Sequence, residues 1–188
     1  MTNSISSISK TNTEKYTNFE EDNMAKNIVI RNAEPKDYDF ILKVNEVNVE
    51  VLSPMPMERM IYLRDMAEMF VVVEVDGELA AFLIAIREGK DYDSENYVWF
   101  SKKYPEFLYI DRIVIDEPYR SIGLGRKLYE AVKEHARNTG VKVVTCEVDT
   151  IPYNEPSLKF HEAMGFKEVG EQIIRGGAIK VSLKACEV

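Results

Sequence analysis

The stretch Arg120-Ser121-Ile122-Gly123-Leu124-Gly125 stands between a strand-like run, Leu108 to Ile115, and a helix-like run, Arg126 to Thr139. No other part of the chain limits the fold as much. The helix start presents unpaired backbone N–H groups and the positive end of its dipole. Glycine lets that backbone approach a phosphate with no side chain between them. The order predicts a sheet covered by helices, with a phosphorylated ligand at a strand-to-helix turn.

Spacing narrows the ligand. A dinucleotide fingerprint needs glycine or alanine three residues after Gly125, where this chain has Leu128. A P-loop needs four residues between its glycines and then Lys-Ser/Thr, a string the chain lacks. Arg-x-x-Gly-x-Gly instead resembles the pyrophosphate loop of the GNAT superfamily of acetyl-CoA-dependent N-acetyltransferases. A second stretch carries the same resemblance: Cys146-Glu147-Val148, then Asn154 with Ser157, Phe160-His161, and Gly165-Phe166. It is similar to the family's Asn-x-x-Ala/Ser signature with its closing Gly-Phe. The likeness spans roughly residues 27 to 184.

The resemblance implies an α+β fold: a central mixed, mostly antiparallel sheet of six to seven strands flanked by about four helices. In the family the strands corresponding to 108–115 and 142–148 run parallel and splay apart, and pantetheine lies in the V between them. By resemblance, backbone groups of Ile113, Val114 and Ile115 pair with pantetheine like an added strand and polarise the carbonyl. Arg120 and the amides of Ser121, Ile122, Gly123, Leu124, Gly125 and Arg126 then hold the pyrophosphate. Asn154 and Ser157 match the family positions that touch the cofactor or close the helix start, the other reading of Asn154 being a plain N-cap.

For the general base, strand alternation puts Tyr109, Asp111, Ile113 and Ile115 on one face, with Asp111 interrupting an apolar stripe. Glu147 is the preferred candidate, because it matches a carboxylate that several protein N-terminal acetyltransferases use. The competing reading for either acid is a salt bridge, with Arg112 or a nearby lysine as partner. His161 stands where many family members have the tyrosine that protonates the departing thiolate. Imidazole can hydrogen-bond to sulfur in its place, the competing reading being a partly buried structural histidine beside Phe160.

Composition sets outer bounds. At 188 residues the chain suits one domain, read as 27–188 behind a tail over 1–26 rich in Ser, Thr and Asn and poor in apolar residues. The tail has neither the basic start and apolar core of a secretory signal nor the arginines of a transit peptide. Apolar runs such as Leu79 to Ile86 fall far short of the roughly 20 residues of a membrane helix, so no membrane contact is expected. A net charge of −8 disfavours nucleic acid and suits a cationic amine. Cys146 and Cys186 make no disulfide framework, and His135 and His161 are the only histidines. A cytoplasmic protein without a metal is expected. A homodimer is left open.

Along the chain the pattern predicts a strand at Ile28 to Arg31 and helices from Glu34 to about Asn45 and from Pro56 to Met66. Strands Met69 to Val75 and Glu78 to Ile86 meet at the turn signal Asp76-Gly77. Residues 87 to 107 read as a long, ring-rich connection that walls a substrate pocket. After the helix of residues 124–139, stopped by Gly140, come a strand at Lys142 to Val148, a helix from Asn154 to Met164, and a hairpin of Lys167 to Ile174 with Ala178 to Leu183.

The expected activity is acetyl transfer from acetyl-CoA to a primary amine of a small molecule. The alternatives are a protein N-terminal or lysine acetyltransferase and a non-catalytic acyl-CoA-binding module.

Overall fold

The computed structural model describes residues 26–49 and 52–188. All but the last residue of the expected tail lies outside the described residues. Strands β1 (Ile28–Asn32), β2 (Met69–Val75), β3 (Glu78–Arg87), β4 (Leu108–Ile115), β5 (Val143–Ile151), β6 (Lys167–Ile174) and β7 (Ile179–Glu187) form one sheet. Its order is β1-β2-β3-β4-β5-β7-β6. Every neighbouring pair is antiparallel except β4 with β5. The mixed, mostly antiparallel sheet expected from the resemblance is therefore present, with seven strands.

Helices α1 (Tyr38–Glu46), α2 (Met57–Met66), α3 (Glu95–Lys103), α4 (Leu124–Asn138) and α5 (Glu155–Ala163) cover the sheet. Two apolar layers result. Leu124, Leu128, Val132 and Ala136 of α4 bury one stripe against Val71, Leu83 and Ile110. Ile41, Met60, Leu63 and Phe100 cover the opposite face over Phe82, Ile84 and Leu183. Fully burying one such side chain stabilises the fold by about 1.5–3 kcal/mol, so the two stripes fix the helices to the sheet.

Helix α3 corrects the reading of residues 87 to 107 as a connection. Ser94 caps it, its Oγ accepting from the Tyr97 backbone N–H at 3.3 Å, and Tyr97 and Phe100 are buried in the second layer. The i, i+3, i+7 spacing of Tyr97, Phe100 and Tyr104 is its sequence signal, masked by apolar Val98 and Trp99 between the first two rings and by polar residues 101–103 before the third. Trp99 lies over Gly170 of β6, where a Cβ would meet the indole at 2.5 Å. Only glycine allows α3 to dock this closely on that strand.

A second correction concerns β4. Ile84 of β3 pairs with Arg112, but Ala85 pairs with Ile110, which leaves Asp111 as an extra residue. This bulge reverses the side-chain alternation. Leu108, Ile110, Ile113 and Ile115 face the α4 layer, whereas Tyr109 and Val114 face the other. Tyr109 and Ile113 thus do not share a face, contrary to simple alternation.

Candidate active site

Strands β4 and β5 pair only at Leu108 with Val144 and Tyr109 with Thr145, after which they part. The bulge at Asp111 turns β4 where the separation begins. A cavity of about 240 Å³ fills the resulting V, with Asp111 and Ile113 on one wall and Cys146, Glu147 and Val148 on the other. It shares Leu52, Asp111, Glu147 and Asp149 with a second cavity of about 280 Å³ beneath α3 and the β6–β7 hairpin. In the other direction it shares Ile113, Tyr129 and His161 with a hollow at the start of α4. The three spaces adjoin one another along the V.

The α4 end of the V is built by the glycine loop. Gly123 has φ +87° and Ser121 φ +67°, left-handed conformations that let the chain turn sharply into a helix with no acidic residue in its first turn. Ser121, Gly123, Leu124, Gly125 and Arg126 line the hollow. Ile122 packs against the core instead. Arg120 is turned aside: its Nη2 donates to Asn48 Oδ1 at 3.0 Å and its Nε to the Ile115 carbonyl at 3.3 Å. Val114 sends its side chain into the opposite layer, so only its backbone can face the V.

The two acids at the other end are held differently. Asp111 is committed to structure, accepting from the Tyr92 hydroxyl and from Arg112 Nε at 3.0 Å. Arg112 is itself anchored through Nη1 on Asn45 Oδ1 and the Ser53 carbonyl, each at 2.7 Å. Glu147 accepts from Tyr109 Oη at 2.9 Å, the Asn96 side chain also acts to favour its charged form, and its Oε2 is buried with no hydrogen bond within 3.5 Å. Burial first, then the neighbouring Asp111 charge, pushes the Glu147 carboxyl up to about 8. Burial also raises the phenols of Tyr92 and Tyr109, which remain protonated donors.

His161 is buried on α5. Its Nδ1 lies 2.7 Å from the Ser157 carbonyl, an acceptor only, so Nδ1 carries the proton and Nε2 a lone pair. The Tyr129 hydroxyl contacts that Nε2 and therefore donates to it. Burial lowers the His161 pKa and keeps the ring neutral. Asn154 caps α5, its Oδ1 accepting from the Ser157 N–H at 3.2 Å, and both residues line the V. Tyr92 is one of the rings of residues 87–107 expected to wall a pocket, and Arg112 is the salt-bridge partner expected for the acids, whereas Tyr129 and Tyr109 have no expected role in the site. Tyr129 lies four residues after Gly125 beside the core position Leu128, where an aromatic ring reads as packing.

Among the described residues no cluster of three or more His, Cys, Asp or Glu side chains is arranged to hold a metal, and no helix is long and apolar enough to cross a membrane.

A family model described as the acetyltransferase (GNAT) family matches residues 34–166. The chain belongs to this family. An N-alpha-acetyltransferase of Sulfurisphaera tokodaii is 28% identical over 152 residues, 80% of this chain and 87% of the relative. The L-ornithine N5-acetyltransferase NATA1 of Arabidopsis thaliana is 40% identical over 80 residues, 38% of this chain and 34% of the relative. The crystal structure of Ard1 from Thermoplasma volcanium shares the fold, with a TM-score of 0.69 at 18% identity over 86% of this chain and 97% of the other.

The chain is thus an acetyl-CoA-dependent N-acetyltransferase of the GNAT family. Its own residues fit that cosubstrate. The hollow at α4 offers an uncovered helix start to a pyrophosphate, and a Cβ on Gly125 would close to 3.4 Å from the Phe160 ring inside it. The V beyond offers two diverging strand edges to an extended arm.

Proposed function

We propose that this N-acetyltransferase acetylates a primary amine of a small molecule by direct attack in a ternary complex, with Glu147 as general base. The observation that carries the reading is the unpartnered, buried Oε2 of Glu147, at a wall shared by the V and the second cavity. Acetyl-CoA supplies an activated acyl group as a thioester; the chain's task is to hold it, receive a proton from the amine and serve the departing thiolate. An acceptor ammonium entering the second cavity meets Glu147, which takes its proton directly or through one water. Asp111 and Tyr92 hold the floor of that cavity. Backbone groups of Ile113, Val114 and Ile115 face the acyl arm, and the amides from Ser121 to Arg126 the pyrophosphate. Arg120 positions the loop through Asn48 and Ile115.

At the thiolate, Tyr129 and His161 act as a pair. The proton between them lies on Tyr129 Oη and is donated to His161 Nε2, so the histidine orients the phenol, and the hydroxyl turns from Nε2 to the sulfur to give up that proton, in place of the tyrosine many family members carry on α5.

Among known relatives, one is an N-alpha-acetyltransferase and another an L-ornithine N5-acetyltransferase. The shape of the acceptor cavity favours the small molecule. Among its walls are the contact of Arg175 Nη2 with Ser53 Oγ at 2.7 Å and the Arg59–Asp93 ion pair. Tyr92 and Tyr109 line its floor. An extended peptide needs an open groove there. The free, buried thiols of Cys146 and Cys186 support a reducing, cytoplasmic setting.

Thiol release from acetyl-CoA with small primary amines and with basic peptides, with mass spectrometry of the products, tests this. N-acetylated small amines formed at higher kcat/KM than any peptide are expected. Preference for peptides would establish the protein-acceptor reading, and acetyl-CoA binding with no release to any amine would establish a binding module.

A further inference from the structure

Three cations line the acceptor cavity: Arg59, Arg112 and Arg175. Two already have carboxylate partners. Arg59 is held by Asp93 through two bonds, at 2.6 and 3.0 Å, and buried Arg112 by Asp111 at 3.0 Å. Arg175, at the tip of the β6–β7 hairpin, is the cavity's remaining cation. Among the described residues its guanidinium makes one hydrogen bond, to Ser53 Oγ at 2.7 Å, and no ion pair.

Its position is imposed rather than incidental. Arg175 has φ +52°, a left-handed conformation that residues with a Cβ rarely adopt. The turn continues through Gly176 and Gly177, which also have positive φ. The Arg175 backbone N–H donates to Glu95 Oε1 at 3.3 Å, at the start of α3. Ser53 ties this tip to the reacting end of the cavity. Its carbonyl accepts from Arg112, whose Nε holds Asp111, while its hydroxyl accepts from Arg175. A chain of hydrogen bonds thus runs from Asp111 to Arg175. Having accepted, the Ser53 hydroxyl still has its own proton to donate.

We propose that Arg175, with Ser53, binds a carboxylate of the acceptor, so that the substrate is an amino acid or another amine carrying a carboxylate. The inference rests on the amine-acetylating pocket argued above and deepens it. The cavity is chemically two-ended: Glu147 receives the amine, and a guanidinium with donors to spare beside a hydroxyl receives an anion. Guanidinium binds carboxylate through paired N–H donors, a geometry that lysine at the same place cannot reproduce. Asp149 lines the same cavity, near enough for the Arg175 charge to act on its carboxyl, so a bound carboxylate shares the guanidinium with it.

Matched acceptors that differ only in the carboxylate test the proposal: lysine against cadaverine, ornithine against putrescine and phenylalanine against phenethylamine. Thiol release from acetyl-CoA is read for the wild type, Arg175→Met and Arg175→Lys. The carboxylate-bearing member of at least one pair is expected to have the higher kcat/KM, by about tenfold or more. Arg175→Met abolishes that preference by raising KM for the acid alone, and Arg175→Lys restores part of it. Unchanged acetyl-CoA affinity in both variants reports an intact fold. Equal use of both members of every pair by the wild type, or an equal loss on both in Arg175→Met, would overturn the carboxylate site and leave the acetyltransferase reading standing. Release with no member of any pair would overturn both.

Discussion

Tyr109 Oη donates to Glu147 Oε1 at 2.9 Å, leaving Oε2 of the same carboxyl buried and unpaired. The phenol orients the acid, and the bare oxygen is where a proton can be taken. With its pKa raised to about 8, chiefly by burial, Glu147 is mostly protonated at neutral pH and becomes a competent base as pH rises. The pH profile of kcat/KM should therefore climb through an inflection near pH 8. Glu147→Gln should lose that inflection and about 10²-fold or more in rate.

The same carboxyl links stability to pH. Between the ordinary carboxyl range and about pH 8, the folded state keeps a proton that the unfolded chain has released, so stability falls as pH rises through that window. The contribution is whole below the ordinary range and gone above the raised value. Thermal unfolding of Glu147→Gln against wild type should show the variant gaining relative stability as pH is raised from about 5 to about 9. A stability difference independent of pH would show that the carboxyl is not held protonated.

Tyr129 and His161 should behave as one unit. His161→Ala and Tyr129→Phe are each expected to lower turnover by about 10²-fold with acetyl-CoA affinity retained. The double variant should be little worse than either single one, because His161 acts only through the hydroxyl that Tyr129 carries. Since burial keeps His161 neutral, no inflection at the ordinary imidazole pKa should appear in the rate profile. Additive losses in the double variant would separate the two residues.

Arg112 is 5% exposed and Asp111 6%, so removing the cation strands a buried carboxylate. Arg112→Ala should cost about 3–5 kcal/mol in denaturant unfolding. Asp111→Asn with Arg112 intact should cost less. A loss below about 1 kcal/mol in the first would mean that water reaches the pair freely.

Gly170→Ala places a methyl where the Trp99 indole lies, at 2.5 Å. Displacing the ring should cost about 1–3 kcal/mol and shift the fluorescence of Trp99, the chain's one tryptophan. An unchanged spectrum and midpoint would show that α3 yields without effort.

Much of this architecture is legible in local patterns. Asp76-Gly77 announces the β2–β3 turn, and Leu124, Leu128, Val132 and Ala136 announce the buried face of α4. The Arg-x-x-Gly-x-Gly spacing announces the anion end of the site. What local pattern cannot show is pairing between distant strands. The bulge at Asp111 depends on where Ile84 and Ala85 of β3 sit, and strict alternation therefore misassigns the faces of β4. Likewise Tyr129 reads as core until α5 brings His161 Nε2 against its hydroxyl, and Arg175 reads as a turn residue until Ser53 is placed beside it. Helix α3 was legible in its ring spacing, yet its polar residues carry the pattern of a loop.

The central claim is that Glu147 takes the proton of a small amine at the junction of the two cavities. Amine-dependent thiol release from acetyl-CoA, compared between wild type and Glu147→Gln at fixed acetyl-CoA saturation, tests it most directly. The account predicts release in the wild type and its near loss in Glu147→Gln, with acetyl-CoA binding by calorimetry unchanged. Release that survives the substitution, or a wild type that binds acetyl-CoA but releases no thiol with any amine, would contradict it.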